Sequence, residues 1–264
     1  MIKNKSIGII GGGFVGTAIA RYYGAKAKDV KVYDKYKDSD SLQGVLKQDF
    51  IFVAVPTPFN QKIDLSFIDD AMANVASAEA GKVVIIKSTI VPGTTERYQK
   101  TYPHLKLIFN PEFLTESTAD ADFAFPDRQI LGYTPQSYEI AGEVRQILPL
   151  APFSRLLPAT TAEMVKYFGN NWFSVKVVYA NQMYEVCEKL GINYDDVMEA
   201  AAADKRIGTS HLEVWHKGYR GYGGKCLPKD IRAMIKFGEE LGVDLTLLKA
   251  AEEVNNRLTG GIDR

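Results

Sequence analysis

A glycine-rich segment near the end of the chain carries a cysteine in a setting suited to nucleophilic chemistry. Residues 218–230 read GYRGYGGKCLPKD. Glycines let a backbone approach a substrate closely, and the ammonium groups of Lys225 and Lys229 favour a thiolate at Cys226. A thiolate can form a covalent intermediate at a carbonyl carbon. A cysteine without a disulfide is more often a small buried hydrophobic residue, but these neighbours argue against that role.

A second segment has the residue types of a dinucleotide-binding turn. In SIGIIGGGFVGTAIARYYG, an apolar run leads into Gly11, Gly13 and Gly16, which fill the pattern G-x-G-x-x-G before a helical pattern begins. Such glycines let the backbone approach a pyrophosphate, and the helix N-terminus offers it N–H groups. The next predicted strand, 29–33, ends at Asp34, which is placed to bind a ribose hydroxyl. Together these features predict NAD as a cofactor, and disfavour a chance glycine turn.

Two pairs of polar residues have the spacing of one helical turn. Glu112 and Glu116 in NPEFLTES would share a face of a helix, as a carboxylate pair that positions a substrate or a water requires. Acidic residues in the first turn of a helix are the ordinary alternative. Lys166 and Asn170 would place an ammonium beside an amide, and solvated polar residues are the ordinary alternative. Neither pair alone indicates a site.

The first half of the chain alternates predicted strands and helices, which indicates a doubly wound parallel sheet. After the first two strands, further strands are expected at 49–55, 82–87, 105–109 and 128–133, and helices near 66–79, 93–102 and 136–147. Ligands of such sheets bind beyond the carboxyl ends of the strands. The fold class is therefore α/β, and residues 1–157 form an N-terminal Rossmann-like domain.

The second half, residues 158–264, predicts an all-α central domain with one long helix. The sequence TTAE at 160–163 matches a capping box, with its first threonine as N-cap and its glutamate reaching back. Apolar residues over 164–190 recur at steps of three and four, and Gly191 follows, which predicts a helix of roughly thirty residues. A helix this long suggests a bridge between domains or subunits. Shorter helices are expected near 194–203, 228–241 and 245–257.

Composition argues against several classes of protein. The 264 residues include 32 basic and 32 acidic side chains, so no net charge attracts nucleic acid. No apolar run is long enough to span a membrane, and the start MIKNKSIGII is unlike a secretory signal, which predicts a cytoplasmic protein. Cys187 and Cys226 are too few for a disulfide scaffold or a structural zinc site, so no metal is expected.

Seven motifs in order resemble the UDP-glucose/GDP-mannose dehydrogenase family, across residues 6–256. They are GGGFVG, VPTP, KSTIVPGTT, NPEFLTES, FAFPDR, AEMVKYFGNN and GYGGKCLPKD. The resemblance implies an enzyme that oxidises the C6 alcohol of a UDP- or GDP-sugar twice, with NAD as acceptor, to a carboxylate. It also implies a homodimer formed through the long helix. Most members continue into a C-terminal domain that binds the nucleotide base, so the chain would be a fragment or a naturally short form lacking that domain.

The resemblance also implies roles for individual residues. Cys226 would attack the aldehyde of the first oxidation and carry a thiohemiacetal and then a thioester. Lys166 and Asn170 would stabilise the oxyanion, and Asp230 would orient Lys166 and a water. Thr89 and Glu116 complete the implied catalytic set. The implied cofactor contacts, besides the three glycines of the turn, are Phe14, Val15, Asp34, Thr57, Thr89, Glu116 and Lys229. The implied substrate contacts are Glu112, Phe113, Leu114, Lys166, Asn170, Tyr219, Tyr222 and Gly223, with Arg206 from across a dimer interface.

Two other functions fit parts of the sequence. A truncated NAD-binding protein would keep the site without turnover. A two-domain β-hydroxyacid dehydrogenase shares the glycine turn and a helical second domain with a functional lysine. That enzyme class has no use for Cys226 or for the CLPKD motif, so blocking the thiol would distinguish it.

Overall fold

The computed structural model describes residues 2–263, which divide into two compact units. The first unit extends to Lys166 and the second begins at Tyr167. No helix between residues 2 and 263 is long and apolar enough to cross a membrane. The same residues contain no group of three or more His, Cys, Asp or Glu side chains that could hold a metal ion.

The first unit is built around a seven-stranded sheet. The strands of this unit, seven of which form the sheet, are β1 (Ser6–Ile10), β2 (Asp29–Tyr33), β3 (Phe50–Val53), β4 (Phe59–Asn60), β5 (Lys62–Ile63), β6 (Val83–Ile86), β7 (Lys106–Phe109), β8 (Arg128–Tyr133) and β9 (Phe153–Pro158). The sheet has the order β2-β1-β3-β6-β7-β8-β9, and β4 with β5 forms a separate antiparallel hairpin. The predicted α/β fold with a doubly wound sheet is confirmed.

The helices that accompany these strands include all those predicted, together with two short helices, at Leu42–Leu46 and Ala119–Ala124, that were not. In chain order, the helices are α1 (Phe14–Gly24), α2 (Leu42–Leu46), α3 (Ser66–Val75), α4 (Thr94–Thr101), α5 (Ala119–Ala124), α6 (Tyr138–Ile147) and α7 (Ala159–Leu190), with short 3-10 turns at Ile2–Asn4 and Glu116–Thr118. Because helices cover both faces of the sheet, its central strands are buried on both sides. In β3, Ile51 and Val53 belong to one hydrophobic cluster while Phe50 and Phe52 belong to the other. That double burial explains why the strands read as continuous apolar runs.

The far end of the sheet differs from the prediction in two respects. β8 runs antiparallel to β7, whereas every other neighbouring pair in the sheet is parallel. β9 is a strand that the sequence did not indicate, because its residues FSRLLP are exposed or half-buried and lack a clear apolar pattern. It pairs with only one neighbour at the edge of the sheet, where a strand needs few buried side chains.

The predicted capping box at the start of the long helix is wrong. α7 begins at Ala159, so the threonine and glutamate of TTAE lie inside the helix. The buried Glu163 carboxylate instead accepts hydrogen bonds from the N–H groups of Gly93 (2.5 Å) and Thr95 (2.8 Å) and from Thr95 Oγ1 (2.6 Å). It therefore caps α4. Burial raises the pKa of the Glu163 carboxyl to about 7, although these three hydrogen bonds oppose the change.

We expect Glu163→Ala to lower the midpoint of thermal unfolding by roughly 5–10 °C. The change would leave the first N–H groups of α4 without their acceptor, and each unsatisfied buried donor costs about 1–3 kcal/mol. Scanning calorimetry measures the midpoint. Thr161→Ala, at an exposed position of the same helix, is the control and should move it little. A midpoint for Glu163→Ala equal to that of Thr161→Ala would contradict the capping role.

The second unit is mainly helical. After α7 it contains α8 (Tyr194–Ala202), β10 (Trp215–His216), β11 (Tyr219–Arg220), α9 (Leu227–Glu240) and α10 (Thr246–Thr259). The long helix has 32 residues, as its periodicity predicted. The unit is not strictly all-α, because β10 and β11 form a two-residue antiparallel ladder within the glycine-rich region that precedes α9.

Candidate functional site

The turn between β1 and α1 requires glycine at two of its three motif positions. A Cβ on Gly16 would lie 1.9 Å from the carbonyl oxygen of Gly11, and a Cβ on Gly11 would lie 2.4 Å from that of Ala54. Gly11 also has a φ of +104°, a left-handed conformation that favours glycine. A Cβ on Gly13 would meet no protein atom within 4 Å. The space beside Gly13, at the N-terminus of α1, therefore suits an anionic group such as a pyrophosphate.

Asp34 lies beside this turn, as its spacing predicted. Its Oδ2 accepts a hydrogen bond from the N–H of Gly12 (2.7 Å), and its Oδ1 accepts one from the N–H of Tyr36 (2.9 Å). These bonds hold the carboxylate at the carboxyl end of β2, next to β1. Phe14 and Val15 open α1 and are half-buried. The residues present thus fit a dinucleotide, with amide groups for its phosphates and a fixed acceptor for its ribose.

The segments that follow β3 and β6 are joined at the same edge of the sheet. The Thr57 hydroxyl donates to the carbonyl oxygen of Thr89 (2.7 Å). Ser88 Oγ donates to the carbonyl oxygen of Val55 (2.7 Å) and accepts from its N–H (3.0 Å). Because carboxyl ends of parallel strands share an edge, the fold alone brings these two segments together.

A buried ion pair joins the segment after β7 to α7. Lys166 Nζ donates to Glu112 Oε1 (2.8 Å) and to the Glu112 carbonyl oxygen (2.9 Å), and the N–H of Leu114 donates to Glu112 Oε2 (2.8 Å). The two charged side chains are only 5% and 8% exposed. Burial opposes ionisation of Glu112, but Lys166 and these hydrogen bonds outweigh it and lower the pKa of the Glu112 carboxyl. The Glu112 carboxyl is therefore ionised at neutral pH.

Glu112 and Glu116 do not share a face of a helix. Glu112 lies in irregular backbone and is buried, whereas Glu116 is exposed at the start of a 3-10 turn. The bonds of the Glu112 carboxylate to the N–H of Leu114 and to Lys166 hold the segment in this non-helical conformation. Between them, Phe113 is half-buried, with the Arg128 guanidinium 4.0 Å from its ring centroid.

Sequence reasoning missed a second buried lysine next to this pair. Lys87 Nζ donates to Asn110 Oδ1 (2.9 Å) and to the carbonyl oxygen of Pro111 (3.4 Å). Burial lowers the pKa of Lys87 to about 7; the charge of Glu112 opposes the change and that of Lys166 adds to it. The available signal was a lysine that directly follows the apolar strand β6, where ligands of such sheets bind.

We expect Lys87 to make the wild-type protein less stable as the pH falls from about 10 to about 7. The unfolded lysine takes up its proton near pH 10, but the folded one does so only near pH 7, so the unfolded state binds more protons between these values. The limiting slope is about 1.4 kcal/mol per pH unit. Lys87→Met should remove this component, which urea unfolding from pH 7 to 10 would measure.

The control for this measurement is Lys100→Met, which replaces an exposed lysine of α4. It should leave the pH dependence of the wild type intact. An unchanged pH dependence in Lys87→Met would show that another group titrates in this range.

In the second unit, Cys226 lies directly before α9. It is the N-cap residue of that helix and is half-buried, with Pro228 in the first turn. A helix N-terminus stabilises negative charge, and a thiolate is the reactive form of cysteine. Asp230, in the same first turn, is 1% exposed. Its Oδ2 accepts a hydrogen bond from Asn170 Nδ2 (2.5 Å), and its Oδ1 accepts one from Lys229 Nζ.

The remaining predicted residues of this unit differ in exposure. Tyr222 is buried, and its hydroxyl donates to Glu252 Oε2 (2.6 Å). Tyr219, in β11, and Gly223 are half-buried. Arg206 is exposed and forms an ion pair with Asp204 (2.5 Å). The structure thus joins Asn170, Lys229 and Asp230 directly, and it places Arg206 at the surface.

Comparisons with known proteins agree with the order of these motifs. The model of the NAD binding domain of the UDP-glucose/GDP-mannose dehydrogenase family matches residues 34–147, and the model of that family's central domain matches residues 160–257. The chain is 32% identical over 260 residues to the UDP-glucose 6-dehydrogenase AglM of Haloferax volcanii, with 90% of this chain and 57% of the relative covered. It is 35% identical over 236 residues to the UDP-glucose 6-dehydrogenase of Pseudomonas aeruginosa, with coverage of 81% and 50%.

The fold of this chain is also similar to that of a solved structure. The solved structure of a UDP-glucose dehydrogenase from Pyrobaculum islandicum superposes with a TM-score of 0.86 at 28% identity, over 97% of this chain and 69% of that one. The chain spans about half the length of the curated relatives it matches. The two family models and the identity to both relatives show that the chain belongs to the UDP-glucose/GDP-mannose dehydrogenase family.

Proposed function

We propose that this chain carries the catalytic machinery of an NAD-dependent nucleotide-sugar 6-dehydrogenase, which converts a C6 alcohol to a carboxylate in two oxidations. The observation that carries the proposal is the arrangement at the start of α9. There Cys226 lies at a helix N-terminus, and the buried Asp230 binds both Asn170 and Lys229. Residues 1–157 would bind NAD, and residues 158–264 would form the central domain.

In this proposal, NAD held at the glycine turn between β1 and α1 would supply the hydride acceptor for both oxidations, and the C6 hydroxyl would lose its proton to water in the first. The Lys166 ammonium, held by Glu112, stabilises the negative charge that forms on the substrate oxygen. The Cys226 thiolate adds to the aldehyde carbon, and the oxyanion takes up a proton to give a thiohemiacetal. Loss of the second hydride and of the hydroxyl proton leaves a thioester on Sγ. Water cleaves the C–S bond, which releases the carboxylate and restores the thiolate.

The remaining predicted residues have supporting roles. Thr89 and Glu116 would activate water, while Asp230 would orient water and Lys166. The further contacts to NAD would come from Phe14, Val15, Thr57 and Lys229. The sugar-nucleotide site would be lined by Glu112 to Leu114, Tyr219, Tyr222 and Gly223. A UDP-sugar is the first substrate to test, because both relatives described above are UDP-glucose 6-dehydrogenases.

The proposed homodimer rests on an exposed apolar face of α7. Phe168, Trp172, Tyr179 and Val186 are 49–71% exposed and follow one another at steps of four and seven residues, which places them on one side of the helix. A second copy of α7 is the proposed partner, with Arg206 reaching the neighbouring substrate. Light scattering should report a dimer that Trp172→Glu weakens.

We also infer a cytoplasmic location, since charged nucleotides do not cross a bilayer unaided.

Incubation with NAD and a panel of UDP-glucose, UDP-N-acetylhexosamines and GDP-mannose tests the function. The proposal expects two NADH for each carboxylate formed. Binding of NAD and a nucleotide sugar without NADH formation would overturn it. The second candidate is an NAD-binding protein without turnover, which would need only the glycine turn and Asp34. Calorimetry that detects NAD binding but no nucleotide-sugar binding would support it.

A further inference from the structure

A buried asparagine binds the backbone of the segment that leads to Cys226. Asn255, on α10, is 2% exposed. Its Oδ1 accepts a hydrogen bond from the N–H of Tyr222 (2.7 Å), and its Nδ2 donates one to the carbonyl oxygen of Tyr222 (3.1 Å). The amide side chain therefore satisfies both backbone groups of one residue, as a neighbouring strand would.

The residue before Tyr222 is adapted to this contact. Gly221 has a φ of +85°, and a Cβ at this position would lie 2.6 Å from Asn255 Oδ1. Any side chain would be strained in that conformation and would collide with the asparagine. The close approach of Asn255 is therefore enough to explain why Gly221 is a glycine, and access for a substrate is not required as a reason.

The Tyr222 side chain and α9 are tied to α10 as well. The Tyr222 hydroxyl donates to Glu252 Oε2 (2.6 Å), and Arg232 Nε donates to Glu252 Oε1 (2.5 Å). Arg232 lies on α9, the helix that begins directly after Cys226. The short segment from Tyr222 to Cys226 is therefore anchored to α10 directly at its start and through α9 after its end.

We propose that Asn255 is a positioning residue for Cys226, which acts by fixing the Tyr222 backbone so that the next four residues place Sγ at the N-terminus of α9. The inference rests on the proposed function, in which Cys226 is the nucleophile. Asn255 itself touches no reacting atom. Its removal should displace the nucleophile, and misplacement by about 1 Å can cost about a hundredfold in rate.

The test compares Asn255→Ala with Asn256→Ala, which alters the exposed neighbour on the same helix. The first readout is the rate of Cys226 alkylation by iodoacetamide, followed by mass spectrometry of the peptide. We expect the alkylation rate of Asn255→Ala to differ from that of the wild type by at least about fivefold. The rate of Asn256→Ala should equal that of the wild type. This readout needs no turnover, so it distinguishes failure of the inference from failure of the proposed function.

The second readout is steady-state oxidation of the active nucleotide sugar. Asn255→Ala should lower kcat about 10- to 100-fold and leave the Kd for NAD unchanged. Alkylation and kcat equal to those of Asn256→Ala would overturn the inference.

Asn255→Asp covers the case in which the alanine variant does not fold. It keeps one acceptor for the Tyr222 N–H and loses the donor to the Tyr222 carbonyl oxygen. Protonation restores a donor, so its alkylation rate should approach that of the wild type as the pH falls, after correction for the wild-type pH profile. A constant ratio across pH would contradict the role of the second bond.

Discussion

Cys226→Ala should abolish formation of the carboxylate product, by at least about a thousandfold, because no thioester can form without Sγ. The first oxidation needs no nucleophile on the aldehyde carbon, so one hydride per bound substrate should still reach NAD. The measurement is the ratio of NADH to product, together with a search for the thioester by mass spectrometry of the wild-type protein. A carboxylate product formed at the wild-type rate would remove Cys226 from the mechanism.

The other cysteine provides the matched control. Cys187 is 5% exposed and packs in the core formed by α7 and α8. Cys187→Ala should reduce stability slightly through the lost buried sulfur and leave the NADH-to-product ratio unchanged. If Cys187→Ala also lost the second oxidation, the loss in Cys226→Ala could not be assigned to the nucleophile.

Breaking the Glu112–Lys166 pair should affect both stability and turnover. Lys166→Met leaves a buried carboxylate without its cation, and removal of one partner of a buried pair costs about 3–5 kcal/mol. Turnover should fall at least about a hundredfold, since the ammonium proposed to stabilise the substrate oxyanion is lost. The double variant Glu112→Leu/Lys166→Met should recover most of the stability and none of the turnover. Denaturant unfolding of the wild type, Glu112→Leu, Lys166→Met and the double variant gives the coupling free energy of the pair.

The pair should also determine how the first unit responds to acid. The pKa of Glu112 is lowered in the folded protein, so its contribution to stability is present above the ordinary carboxyl pKa and is lost as the pH falls through the lowered value. Lys166→Met should remove that acid-dependent loss, because burial, the largest influence on the Glu112 carboxyl, then raises its pKa. Arg206→Met is the control, because the exposed pair of Arg206 with Asp204 should contribute little. Equal acid transitions in Lys166→Met and the wild type would contradict this account.

Local patterns determined most of the fold in advance. Strands β1, β2, β3, β6, β7 and β8 were predicted, because a sheet covered on both faces needs apolar runs, whereas the hairpin of β4 and β5 was not. The turn glycines were predicted because their conformations are set within a few residues, and α7 because its periodicity extends over many turns. The order of motifs also predicted the family, which the comparisons confirmed.

Contacts between distant parts of the chain were not predictable in this way. Glu163 belongs to a sequence that matches a capping box, yet its partners lie 68 and 70 residues earlier, in the first turn and at the N-cap of α4. Lys87 is close to Glu112 only because parallel strands bring their ends together. The edge strand β9 has no apolar signal because one of its sides lacks a neighbour.

The sequence by itself determined the residue types available for chemistry: the glycine turn and Asp34, which we propose bind NAD, and a cysteine among glycines and lysines, which we propose as the nucleophile. Those features depend on residue type and on spacing within short segments, which a chain carries before it folds. Tertiary structure alone decided which polar groups became partners, as with Lys166 and Glu112 or Asn255 and Tyr222. Such pairs form because a buried polar group must find a hydrogen bond in the folded chain, and no local pattern names the partner.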